Sequence, residues 1–252
     1  MITVDLPSPA ALDAASSAFT FALVGIGAVI VASAIAAATW ARSLNGWALG
    51  GVSFVLSQTA QVVALFLFGP LVAAFTSAPL QEASRAIILS TAARGVRDER
   101  PGAAFGFGHG AIDLLTSSLI PTLSAVVILG GIRDGSIFVG LNAEVTEKVN
   151  AVAVFLASQT LLSGALLVAQ GALMLGFHAL LTAIVLPVVV RAGGVRTISR
   201  GLLLPIAIHT PVAVVRTLFP MATLPVLLGG ILVATLVFRR GRGAMAESAP
   251  NQ

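Results

Sequence analysis

The chain has no cysteine, which excludes disulfides, thiolate metal sites and cysteine nucleophiles, while a protein without thiols suits either redox compartment. Charge is nearly as scarce: Asp, Glu, Lys and Arg make up 10% of 252 residues, against 57% hydrophobic, with a mean hydropathy of +1.01. So little charge excludes an ordinary soluble domain and points to an integral membrane protein with the lipid bilayer as its first partner. The apolar runs also lack the alternation that barrel strands require. At about 20 apolar residues per crossing, the expected class is all-α, a polytopic transmembrane helix bundle. The formal charge of +4 and a pI near 11.3 do not mark nucleic acid as a partner. The arginines sit at the ends of apolar runs, and no basic face with interleaved aromatics occurs. Met1 to Ser17 carries Asp5 and Asp13 but no Lys or Arg, so it lacks the positive region of a signal peptide, and the following run reads as a mature first span.

Apolar runs bounded by charge, Gly or Pro fall at 16–39, 48–75, 79–95, 102–131, 143–190, 201–219 and 221–238. The fifth run, as one helix, would be roughly 72 Å long, so it is either two spans or one span plus an interfacial helix. Arg42, then Arg94, Arg97 and Arg100, then Arg191, Arg196 and Arg200, then Arg239, Arg240 and Arg242 mark basic ends, while the loop at 132–148 is net acidic. If the basic ends and the C-terminus are cytoplasmic in a multi-pass cell-membrane protein, 143–190 makes one net crossing. That gives seven spans, with 143–160 interfacial or re-entrant; an eighth span would put Arg191, Arg196 and Arg200 on the other side. The expected organisation is an N-terminal tail at 1–15, a single transmembrane domain at 16–238 with a catalytic-like core at 79–219, and a basic polar tail at 239–252.

All three histidines, His109, His178 and His209, lie inside long apolar stretches, and Glu82 and Arg85 share that setting. An ionisable residue in a spanning helix is costly without a partner or a wet cavity, so by default it marks a functional site. Glu82 and Arg85, three apart behind Pro79, can touch on one helix face. They read either as a self-neutralising pair or as a carboxylate base with its cation. Gly102, Gly106 and Gly110 form a small-residue stripe beside His109, which would place the ring at a helix contact rather than in lipid. Asp113, one turn on, can ligate a metal or orient the imidazole. His178 and His209, each taken singly, also fit a histidine bonded to a neighbouring carbonyl or hydroxyl. Depth ties them together: Glu82 lies 13 residues from Gly95, His109 8 from Pro101, His178 13 from Arg191 and His209 9 from Arg200. At 1.5 Å per residue all four fall roughly 12–20 Å from one face. Three imidazoles with a fourth position for water make a zinc site, with Glu82 as the base.

These residues resemble the YhfC-like family of intramembrane metalloproteases, related in pattern to PrsW and to the CAAX-prenyl-protease and bacteriocin-processing families. The resemblance covers residues 79 to about 213. Gln81-Glu82-Ala-Ser-Arg85 is similar to a Glu-Glu-x-x-Arg element, and Phe105-Gly-Phe-Gly-His109-Gly-Ala-Ile-Asp113 to a Gly-x-Gly-His-Gly-x-x-Glu element with Asp for Glu. Phe177-His178 and His209 are similar to the later motifs. The chain departs at Gln81, where the pattern has Glu; at Ala213, where an acid or amide often follows the last histidine; and at Gln170-Gly171, where Glu-Arg is expected. The resemblance implies an intramembrane endopeptidase that hydrolyses a peptide bond of a membrane-protein or membrane-proximal peptide substrate. Glu82 would be its base, Arg85 an orienting or transition-state charge, and His109, His178 and His209, with Asp113 beside them, the ligands of zinc or water. Two other classes remain: a non-catalytic membrane binding or immunity protein, and a small proton-coupled transporter, in which the same His and Glu side chains form a relay.

Overall fold

Every apolar run becomes helix. The computed structural model describes residues 6–191 and 195–247, and no strand occurs among them. The helices are α1 (Pro9–Thr39), α2 (Leu44–Ser90), α3 (Glu99–Leu114), α4 (Ile120–Arg133), α5 (Ala143–Ala157), α6 (Leu161–Arg191), α7 (Val195–Gly201), α8 (Leu203–Leu218) and α9 (Thr223–Glu247). A π-helical turn, Leu115–Leu119, joins α3 to α4. Five stretches are long and apolar enough to cross a membrane: Pro9–Thr39, Leu44–Ser90, Glu99–Arg133, Leu161–Arg191 and Pro220–Arg240.

The helix ends follow local chemistry. Ser8 caps α1, its Oγ accepting from Ala11 N–H at 3.2 Å, and Pro9 follows where a missing N–H costs nothing. The helix therefore starts seven residues ahead of the apolar run at 16. At the other end α9 reaches Glu247, so part of each expected tail is helical. Residues 1–5 and 248–252 of those tails lie outside the described residues, as do 192–194 and the side chains of Arg196 and Arg242. The ambiguous run 143–190 divides into α5 and α6 at residues 158–160. Asn142 caps α5 through Val145 N–H at 2.9 Å, while Thr160 and Ser163 cap α6 reciprocally, each hydroxyl accepting the other's N–H at 3.3 Å.

The two expected spans 48–75 and 79–95 are arms of α2, and the break lies at Gly69 rather than between Phe75 and Pro79. Gly69 has φ +82° and ψ 176°, a conformation that only glycine adopts freely, and Pro70 opens the second arm. The arms run back along each other: Ser77, in the second, donates to Gln61 Oε1, in the first, at 3.3 Å. Pro79, expected at a first turn, is inside the second arm, where it leaves the Phe75 carbonyl without its helical donor. Counting the arms separately and adding the shorter apolar helix α8 gives seven apolar segments among the described residues, within the expected seven to eight.

Contacts divide the chain into two units. One comprises residues 1–30 and 114–172, and packs Leu12 and Ala15 of α1 against Ala125, Leu129 and Ile132 of α4 and Ala153 and Leu156 of α5. The other comprises residues 31–113 and 173–252. Its core joins Ala86 and Leu89 of α2, Phe105 of α3, Val185 and Leu186 of α6, and Leu202.

Within this second unit α3 is gripped on two sides through glycine. Gly102, Gly106 and Gly110 all face α6, where a Cβ on Gly106 would come within 2.5 Å of the Ala179 Cα, so the stripe read from sequence is a helix contact. On the other side, a Cβ on Gly50 would fall on the Phe105 carbonyl, and one on Gly108 on the Trp47 carbonyl. Backbone cannot yield as a side chain can. Gly50→Ala and Gly108→Ala are each expected to cost roughly 1–3 kcal/mol or more as overpacking. Gly130→Ala in α4, with nothing within 4 Å of the added carbon, is expected to be neutral or slightly stabilising. Thermal unfolding in detergent checks this, and equal midpoints for the three variants would contradict the close approach.

Candidate active site

Helical spacing sets which polar side chains share a face. Glu82 and Arg85 stand at i and i+3 on the second arm of α2, His109 and Asp113 at i and i+4 on α3, and His209 and Arg216 two turns apart on α8. With His178 of α6 these faces converge. Glu82, Arg85, His109 and His178 have no exposed surface, while Asp113 and His209 have 3% each.

Arg85 sits at the centre. Its Nη1 donates to both Glu82 oxygens, at 2.9 and 2.8 Å, and its Nη2 donates to His178 Nδ1 at 3.1 Å. Because a guanidinium only donates, His178 Nδ1 accepts, and the ring proton is on Nε2, which donates to Asp113 Oδ2 at 3.1 Å. The same oxygen accepts from Arg216 Nη1 at 2.7 Å, and Asp113 Oδ1 accepts from Arg216 Nη2 at 2.8 Å. On the other flank His209 Nδ1 donates to Glu82 Oε1 at 2.7 Å. His109 stands beside this chain, with Nδ1 2.7 Å from Ser53 Oγ and Nε2 3.2 Å from Gln81 Oε1. Phe54 and Phe177 close the rings in edge-on, with centroids 5.3 Å from His109 and 5.5 Å from His209.

All six residues singled out from sequence therefore meet in one cluster. Three partners escaped that reading. Arg216 lies in an apolar run seven residues after His209, and that spacing was the available signal. Gln81 was noted only as a departure from the Glu-Glu pattern, yet it bridges His109 to Ser77, donating to the Ser77 hydroxyl at 3.2 Å. Ser53 carried no signal, since its partner is 56 residues away.

Zinc was expected on these histidines. The ring centroids of His109 and His178 are 4.9 Å apart, and those of His178 and His209 5.4 Å, each close to the roughly 5 Å between two imidazoles on one small tetrahedral ion. The lone pairs decide otherwise. Both nitrogens of His178 are engaged, by Arg85 and Asp113, and both of His109, by Ser53 and Gln81. Asp113 is held on both oxygens by Arg216. Of the six ring nitrogens only His209 Nε2 has no hydrogen bond among the described residues, which also contain no group of three or more His, Asp and Glu placed to hold a metal ion. A dication would further sit against the Arg85 guanidinium. In this arrangement His109, His178, His209 and Asp113 do not fit the expected zinc centre.

The Asp113 and Arg216 pair is a buried carboxylate with a guanidinium that is 25% exposed. Removing one partner strands the other, so Arg216→Gln is expected to lower stability by roughly 2–3 kcal/mol, below the value for a fully buried pair. Asp113→Asn in the same chain should recover part of that loss. Thermal unfolding of the two variants decides it; an Arg216→Gln protein as stable as the parent would show that the pair carries no weight.

No curated protein and no solved structure matches this chain. The family profile described as YhfC intramembrane metalloprotease matches residues 15–231, and that description implies a metal. The matched span takes in every residue of the buried cluster, and the chain belongs to the YhfC intramembrane metalloprotease family.

Proposed function

We propose that this chain is an intramembrane endopeptidase that hydrolyses a peptide bond of a membrane protein or membrane-proximal peptide, with Glu82 as the general base. The supporting observation is a fully buried carboxylate held at 2.7 Å by His209 and flanked by a cation with an unused donor. Lone-pair bookkeeping on Glu82 gives the first step. Arg85 takes one position on each oxygen and His209 a second on Oε1, which leaves one acceptor position on Oε2. A water molecule bound there loses a proton to Glu82 as its oxygen attacks the peptide carbon. Arg85 Nε–H is buried without an acceptor, and it is the group suited to the oxygen that becomes negative. When the C–N bond breaks, Glu82 returns the proton to the departing amine nitrogen, and His209, bonded to Glu82 throughout, keeps the carboxylate oriented.

The zinc named in the sequence-based expectation has no step in this scheme, because the nitrogens it would need are committed elsewhere. Substrate would enter from the bilayer or from its arginine-bearing surface, which the positive-inside tendency supports as the cytoplasmic one.

Sequencing of new N-termini tests this reading. In host membranes carrying the parent protein, cleavages within or next to transmembrane segments are expected. With Glu82→Gln, confirmed folded by its unfolding midpoint, they should fall by at least about 10²-fold, the scale of a lost general base. Undiminished cleavage by the Gln variant would overturn the assignment.

A further inference from the structure

We propose that Arg85 is the resident cation of this site, and that Arg85 and a divalent metal ion are alternative occupants of the same position. The charges carry the inference. Glu82 and Asp113 bring two negative charges, Arg85 and Arg216 bring two positive ones, and His178 is uncharged because its Nδ1 accepts from Arg85. This set of five side chains is therefore balanced as it stands, in surroundings where excess charge is expensive. A dication added to it would be uncompensated, whereas metal sites ordinarily supply carboxylates that no guanidinium has already matched.

Position agrees with charge. Arg85 reaches Glu82 with Nη1 and His178 with Nη2, so one guanidinium spans the carboxylate and the imidazole that a metal ion would have to bridge. A metal can take His178 Nδ1 only if Arg85 withdraws, and Arg85 has no exposed surface. The same replacement accounts for the ligand-like spacing of His178 to His109 and to His209, although the lone pairs of these rings are largely occupied.

Metal binding by the whole chain in detergent reads this directly and independently of proteolysis, so the two proposals fail separately. Zinc is measured per chain after growth in zinc-supplemented medium and purification without chelator, for the parent, Arg85→Met and Arg85→Lys. The parent is expected to hold far less than one zinc per chain. Arg85→Met, which keeps the bulk but frees Glu82 and His178, should hold at least about tenfold more, and Arg85→Lys, which keeps the charge, should stay at the parent's level. Cobalt added to the parent provides a second readout that needs no variant, and no tetrahedral absorption bands are expected. Near-stoichiometric zinc in the parent that disappears in His178→Ala, tetrahedral cobalt bands in the parent, or a folded Arg85→Met that gains no metal would each overturn the proposal.

Discussion

A charge in the apolar interior of a membrane protein must be matched locally, and the Glu82 and Arg85 pair is where this structure meets that requirement. The two residues neutralise each other one helical turn apart, yet neither is used up by the contact. Glu82 still accepts from His209, and Arg85 still donates to His178, which passes the arrangement on through Asp113 to Arg216. One pair on one helix thereby fixes the ring orientations of two histidines on two other helices. The chain of contacts ends at Arg216, whose side chain is 25% exposed.

Packing supplies the distances that this network needs. Hydrogen bonds of 2.7–3.1 Å between side chains on α2, α3, α6 and α8 require backbones that approach closely, and glycine is what permits it at α3. Gly50 and Gly108 remove the side chains between α2 and α3, while Gly102, Gly106 and Gly110 do so between α3 and α6. The hairpin at Gly69 contributes differently: it lets one helix present Ser53 from its first arm and Gln81 from its second to the two ring nitrogens of the same imidazole, His109.

Much of the site was legible in the sequence because polar side chains in apolar runs stand out, and because counting from arginine-bearing loops put Glu82, His109, His178 and His209 at one depth. Less was legible where a residue had a second plausible role. Arg216 was not singled out although it lies in an apolar run seven residues after His209, and Pro79 was read as a helix start although Gly69-Pro70 carried the stronger break signal. The fold class followed from hydropathy, but the position of the hairpin did not, since Phe66 to Val72 is apolar on both sides of the turn. Zinc followed from residue type, and residue type does not record which lone pairs are already taken. That information exists only in the geometry, where Arg85 reaches a nitrogen 93 residues away.

Three histidines are few enough for each ring nitrogen to be assigned by nitrogen-15 NMR of histidine-labelled protein in lipid, using single substitutions to identify the signals. Arg85 at the centre of a connected network predicts a proton on Nε2 and none on Nδ1 of His178, and a proton on Nδ1 of His209. A His178 protonated on Nδ1, or carrying a metal-shifted nitrogen, would contradict it, because the Arg85 guanidinium could not then be its partner.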